Sequence, residues 1–195
     1  MVMENQPRFE SLSGLSGTLL VAHPTLEDPN FARTVILLPV HSGDNGGLGV
    51  ILNRPTGSTL GEMFPDQAFE KLAHIRVFEG GPVDAGQLIL TAWKWDAEEN
   101  SHKMFFGISS ENALELLESE DPVTVRAYLG YAGWSAGQLE AELEANAWIT
   151  QPIRSEVLEE ESGPQLWDQL TEEGPSLGGD FDGNLPLPPD DLDWN

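Results

Sequence analysis

The densest chemical signal in the chain is the run Gly133-Trp134-Ser135-Ala136-Gly137, which fits the G-x-S-x-G pattern of a serine nucleophile. A strand-like stretch ends just before it and a helix-like one begins at it, as that pattern requires. A serine nucleophile also needs a base, usually a histidine oriented by a carboxylate. The four histidines, His23, His41, His74 and His102, all lie upstream of Ser135. Triads occur in several chain orders, so an upstream partner is geometrically possible. A simpler role is at hand, because Ser135 and Gln138 have the spacing of a capping box that starts a helix. Ser135 is therefore expected to cap a helix, and no residue is assigned a catalytic role.

Other sources of chemistry are weaker still. The histidines show no i, i+4 pairing of the kind that builds a helical zinc site, and there is no cysteine. No metal and no cofactor is expected. Glutamate and aspartate are so abundant that no acid–base pair stands out. The glycine-rich run Gly43 to Gly49 lacks the Gly-Lys-Ser/Thr ending of a phosphate loop and sits between two strand signals, so a hairpin turn explains it.

Two places remain. Leu52-Asn53-Arg54-Pro55 ends a strand signal with two large polar groups beside a rigid proline. Tyr131, Trp134 and Gln138 are interleaved with Gly130, Gly133 and Gly137, where a ligand or another backbone could approach closely. Together with Gly80, Gly81 and Pro82, the residues Asn53, Arg54, Tyr131, Trp134 and Gln138 form the candidate binding site. Brought together, they would make a polar-rimmed aromatic pocket able to hold an anion or a peptide group. The competing reading is structural, with Arg54 paired to an acid and Trp134 filling the edge of the core. The sequence leaves both open.

The elements that would position these residues are strands for the first two thirds. Strand patterns cover Gly17–Ala22, Thr34–Val40, Leu48–Asn53, His74–Glu79, Gln87–Trp95 and Val123–Leu129. Met104 to Phe106 adds an apolar run, and Ile149–Ile153 a final strand. Asp44-Asn45-Gly46-Gly47 makes a hairpin of the second and third strands. Leu60–Ala73 is weakly helical and broken at Pro65. A helix follows Ser109 or Ser110 as N-cap, a second runs from Ser135 to about Ala147, and Gln165–Leu170 is a short third. Strands and helices do not alternate regularly, which favours α+β over a doubly wound parallel sheet.

Composition sets outer limits. The 195 residues fit one domain with a short appendage. The absence of cysteine excludes disulfides and thiol catalysis and fits a reducing interior. The N-terminus lacks signal-peptide blocks and the longest aliphatic run is far too short to span a bilayer, so a soluble, cytoplasmic, non-membrane protein is expected. Thirty-three acids against nine bases give a net charge of −24, and the acids continue through a C-terminal stretch from Ser155 that holds no Lys or Arg. Such a chain repels phosphate backbones, which argues against direct nucleic-acid binding. The expected organisation is an arm over 1–12, one domain over 13–173, and an acidic Gly/Pro-rich tail over 174–195.

The same segments carry a family likeness. Gly17 to Phe31 (GTLLVAHPTLEDPNF), Leu52 to Pro55, Gly80 to Val83, Leu129 to Glu140 (LGYAGWSAGQLE) and Asn146 to Trp148 occur in that order. Over residues 13–171 the chain resembles the YqgE/AlgH family. The resemblance implies a bacterial, cytoplasmic protein with a bent, mixed, largely antiparallel sheet forming a pseudo-barrel with flanking helices. It implies no established enzymatic activity. It brings a label of transcriptional regulator that rests on phenotype rather than on a DNA-binding motif. The expected function is thus a non-catalytic regulatory or binding protein acting through a protein or small-molecule partner. The alternative is a hydrolase-type enzyme using Ser135 or an acid–histidine pair. The sequence assigns no partner, ligand or oligomeric state, and no role for the tail.

Overall fold

A computed structural model describes residues 15–65, 69–96, 101–120, 123–154, 157–158 and 163–172. The expected arm and acidic tail fall outside them. Nine strands build one mixed sheet: β1 (Thr18–Ala22), β2 (Val35–Ser42), β3 (Gly46–Ile51), β4 (Pro55–Thr59), β5 (Arg76–Glu79), β6 (Val83–Asp96), β7 (Ser101–Ile108), β8 (Val123–Trp134) and β9 (Trp148–Pro152). The helices are α1 (Leu60–Met63), α2 (Ser110–Leu117), α3 (Gln138–Glu144) and α4 (Gln165–Glu172), with a 3-10 turn at Glu70–Leu72. This is the expected α+β class with a largely antiparallel sheet. Its one parallel pair among the described residues is β5 with β8.

The strand order is β4-β5-β8-β3-β2-β1-β9, with β6 and then β7 added beside β8, and the sheet does not close into a barrel. β8 is the strand that joins everything. Its first two thirds pair with β5 and β6, and its last three residues, Ala132, Gly133 and Trp134, pair with β3. Two apolar clusters follow from this change of partner. One gathers β1, β2 and β3 with Trp134, Trp148 and Trp167. The other lies under α2, around Val77, Leu90, Ala113 and Ala127.

Several boundaries differ from the sequence reading, each for a physical reason. β8 does not stop at Leu129, because Tyr131 to Trp134 continue the ladder onto β6 and β3 despite two glycines. β4 was not visible as a strand, since Pro55 and Gly57 disguise it. It lies at the sheet edge, where a leading proline costs no ladder bond. Among the described residues of the weak helix at Leu60–Ala73, the helical parts are α1 and the 3-10 turn. The second helix starts at Gln138 and ends at Glu144 rather than spanning Ser135–Ala147. The β2–β3 hairpin is as expected, with Ser42 opposite Gly46 and the turn over Gly43–Asn45. Ser109 caps α2, its hydroxyl accepting from the Asn112 N–H at 3.1 Å.

Where β6 meets β8, Val83 pairs with Tyr131 and Leu88 with Leu129, so Asp84 to Gln87 bulge outward opposite one residue. Gly81 leads into this bulge with its Cα against the Tyr131 peptide, and a Cβ there would overlap the Tyr131 carbonyl. Gly81→Ala is expected to cost at least about 3 kcal/mol in urea unfolding, since backbone must move on both strands. Gly86→Ala, where nothing lies within 4 Å of the added atom, should change stability by less than about 0.5 kcal/mol.

Candidate functional site

The candidate residues converge on the loop between β1 and β2, residues 23–34, from two sides. On one side, Asn53 follows β3 and is 2% exposed. Its Oδ1 accepts the Val35 N–H at 2.9 Å and its Nδ2 donates to the Arg33 carbonyl at 2.9 Å. One carboxamide thus satisfies a buried donor and an acceptor where the loop re-enters the sheet. Next in sequence, Arg54 reaches over the loop. Its Nη2 lies 3.4 Å from the carbonyl oxygens of both Pro29 and Ala32.

On the other side stands an aromatic group. Phe31 from the loop stacks on Trp134 with ring centroids 6.5 Å apart and meets Trp148 edge-on at 5.7 Å; the two indoles are themselves edge-to-face at 6.1 Å. Trp134 is 6% and Trp148 5% exposed. Both indole N–H groups donate to one oxygen, Oε2 of Glu142, at 3.0 and 2.7 Å. The other oxygen of that carboxylate accepts from Gln138 Nε2 at 2.9 Å. Glu142 is therefore a carboxylate that accepts from three N–H donors. Its importance was hidden in the sequence by the surplus of glutamates. The signal was its position four residues after Gln138 on one helix face.

Ser135 does not cap α3. Gly137, in left-handed conformation, is the N-cap and offers no side chain. Instead Gln138 folds back, its Oε1 accepting from both the Ser135 N–H and the Ser135 hydroxyl at 3.1 Å. The reciprocal half of the capping box is thus present and the serine half is replaced by the turn at Ala136–Gly137. The hydroxyl is exposed and spends its hydrogen on an amide oxygen, not on a base.

The histidines are spread out. His23 bonds Thr25 at 2.7 Å on the surface, His74 is exposed before β5, and His102 lies in β7. His41 alone of the described histidine side chains faces a carboxylate, with Nε2 3.1 Å from Glu140 Oε1. Burial pushes its pKa below the ordinary 6.5, Glu140 opposing but not overcoming that effect. Among the described residues no group of three His, Asp or Glu could hold a metal ion.

The sequence-derived set is therefore only partly one place. Asn53, Arg54 and Trp134 meet through the loop, and Gln138 joins them through Glu142. Gly80 is tied to the same neighbourhood, its carbonyl accepting the Ile51 N–H while the Glu79 N–H donates to the Arg54 carbonyl. Gly81 and Pro82 lead away to the β6 bulge, where Tyr131 packs beside Val83, one of two large apolar side chains that stay exposed among the described residues. Of the eight, Asn53, Trp134 and Gln138 are fully used in holding structure. Arg54 is not: among the described residues it makes no ion pair, in a chain with 33 acids.

Comparison with known proteins places these observations. Residues 19–180 match a family model described as AlgH-like. A UPF0301 protein of Thioalkalivibrio sulfidiphilus is 35% identical over 162 residues, covering 80% of this chain and 87% of that protein. One from Xanthomonas campestris pv. campestris is 38% identical over 161 residues, covering 78% and 85%. The solution structure of the AlgH protein from Pseudomonas aeruginosa superposes with a TM-score of 0.62 at 29% identity over 90% of this chain and 95% of that one. A crystal structure of a Corynebacterium diphtheriae protein shares the fold, with a TM-score of 0.60 at 21% identity, over 90% and 92%.

Removing the shared acceptor should loosen the whole clasp. Glu142→Ala is expected to lose about 2–4 kcal/mol in urea unfolding, because two indole N–H groups are left without an acceptor, with a red shift of tryptophan emission. Glu142→Gln, which keeps an acceptor oxygen but opposes its NH2 to that of Gln138, should lose about 1–2 kcal/mol.

Proposed function

This chain belongs to the AlgH-like family, and from that premise we propose that it is a non-catalytic binding protein with an indirect regulatory role. It acts through a protein or small-molecule partner rather than by touching DNA. The observation that carries this reading is Arg54. Arg54 is half-buried, and its Nη2 donates at 3.4 Å to two peptide carbonyls, neutral groups that leave its charge uncancelled. An arginine held ready in this way suits a carboxylate, a phosphate or a peptide carbonyl presented by a partner. The −24 net charge favours a single anionic group over a polyanion, since a nucleic-acid backbone would meet repulsion along its length.

One observation favours a second reading, the His41–Glu140 pair, which is an acid–histidine couple of the kind a hydrolase uses. The described geometry supplies it with no nucleophile, because the Ser135 hydroxyl is directed to Gln138. A fluorophosphonate probe is expected to leave Ser135 unlabelled. Labelling of wild type that disappears in Ser135→Ala would establish the enzyme instead.

The binding reading is tested by NMR titration with acetate and with inorganic phosphate. Saturable shifts are expected at the amides of Ala32, Asn53 and Arg54, and their loss in Arg54→Gln with an unchanged melting temperature. Shifts that grow linearly, or that persist in Arg54→Gln, would remove Arg54 as the anion-reading group.

A further inference from the structure

Arg33 stands one peptide from the group that Arg54 covers, because the Ala32 carbonyl 3.4 Å from Arg54 Nη2 belongs to the residue before it. Its backbone is in the left-handed region, with φ at 58°, a conformation that costs a non-glycine residue and is held here from outside. The Asn53 amide donates to its carbonyl at 2.9 Å. Its side chain reaches α4, where the guanidinium carbon lies 4.3 Å from the centroid of the Trp167 ring. That ring is itself anchored: Trp167 is 7% exposed, and its N–H donates at 2.7 Å to the carbonyl of Ala22, the last residue of β1. Leu166 and Leu170 of the same helix are buried, and Gln151 Nε2 donates to the Leu170 carbonyl at 2.9 Å.

A guanidinium stacked on a fixed indole has lost much of its rotamer freedom before any ligand arrives, so less remains to be lost on binding. Only part of it is in use. Nη2 lies 2.8 Å from both carboxylate oxygens of Asp168, while Nε and Nη1 have no hydrogen-bond partner among the described residues. One nitrogen serving two oxygens is not the parallel two-nitrogen fork in which arginine and carboxylate bind most strongly. The pair is also open to water, with side chains 58% and 48% exposed, and an ion pair so placed contributes little. Asp168 therefore sits on Arg33 as a weakly held internal anion.

We propose that Arg33 is a second anion-reading group of this loop, that Asp168 is its resident competitor, and that a phosphate-class dianion displaces it. The inference rests on the reading of Arg54 and deepens it by naming the class of ligand. An external carboxylate would exchange like for like against one that α4 already presents at high local concentration. A phosphate group, with about two charges and three acceptor oxygens, gains over Asp168 because it can engage Nε and Nη1 as well as Nη2. The neighbouring charge of Arg54 attracts a dianion about twice as strongly as a monoanion. Trp167, Leu166 and Leu170 keep α4 in place when Asp168 lets go, so the exchange requires only side-chain movement.

Titration of the full chain with inorganic phosphate at pH 7.5 and constant ionic strength, followed by NMR at the Arg33 Nε–H and the Trp167 indole N–H, tests this. Both signals are expected to shift saturably, and acetate should need a concentration at least about fivefold higher. Asp168→Asn should lower the apparent Kd for phosphate about two- to fivefold, the range that an exposed ion pair can withhold. Glu172→Gln removes an exposed charge from the same helix and should change that Kd by less than about 1.5-fold, which separates competition from general repulsion. Arg33→Gln should abolish the Trp167 shift. A Kd unchanged in Asp168→Asn, an equal gain in Glu172→Gln, a Trp167 shift that survives in Arg33→Gln, or acetate matching phosphate would each overturn the proposal. Saturable shifts that remain at Ala32 and Arg54 in those cases leave the Arg54 reading standing. No saturable shift at any of these groups, in Asp168→Asn as in wild type, removes both.

Discussion

Buried indole N–H groups need acceptors, and this fold gives two of them the same one, the carboxylate of Glu142. That shared acceptor fixes the end of β8 to the start of β9 through α3, since Trp134 closes β8 and Trp148 opens β9. The two rings then form the surface against which Phe31 packs, and Phe31 holds the middle of the loop over residues 23–34. From the far side Asn53 secures the exit of that loop by satisfying one buried N–H and one carbonyl. A loop with so few ladder bonds of its own is ordered by these outside groups. Segments remote in sequence, around positions 31, 53, 134 and 148, are consequently one mechanical unit.

This unit accounts for most of the hydrogen bonds that the motif-bearing residues make. A tryptophan, an asparagine, a glutamine and a serine clustered with glycines resemble an active-site inventory, yet most of their polar atoms have internal partners. The Ser135 hydroxyl ends on Gln138, Gln138 ends on Glu142, and Glu142 ends on two indoles. Such a chain of satisfied bonds rigidifies a site and leaves little to polarise a substrate. Arg54 stands apart, because peptide carbonyls accept its hydrogen bonds but do not cancel its charge.

How far the sequence could be read depended on whether a signal was local. The β2–β3 hairpin was legible because Asn45 and Gly46 suit a tight turn, and the cap of α2 because Ser109 lies beside an apolar periodic run. β4 was not, since an edge strand that begins with proline carries no alternation. Nor was the continuation of β8, where Gly130 and Gly133 look like a break but permit close approach to β6 and β3. Of the site, Asn53, Arg54 and Trp134 could be picked out by type and company. Glu142 and the His41–Glu140 pair could not, because one glutamate among many acquires meaning only from what the fold sets beside it.

The claim that these distant residues act as one unit is open to a double-mutant cycle in urea unfolding between Asn53→Ser and Glu142→Gln. Their side chains share no direct hydrogen bond, so any coupling must run through the loop that both restrain. The account predicts that the double variant departs from additivity by at least about 0.5 kcal/mol, the first change having already loosened what the second would release. Additive losses, within about 0.3 kcal/mol, would contradict it and leave two independent local clasps.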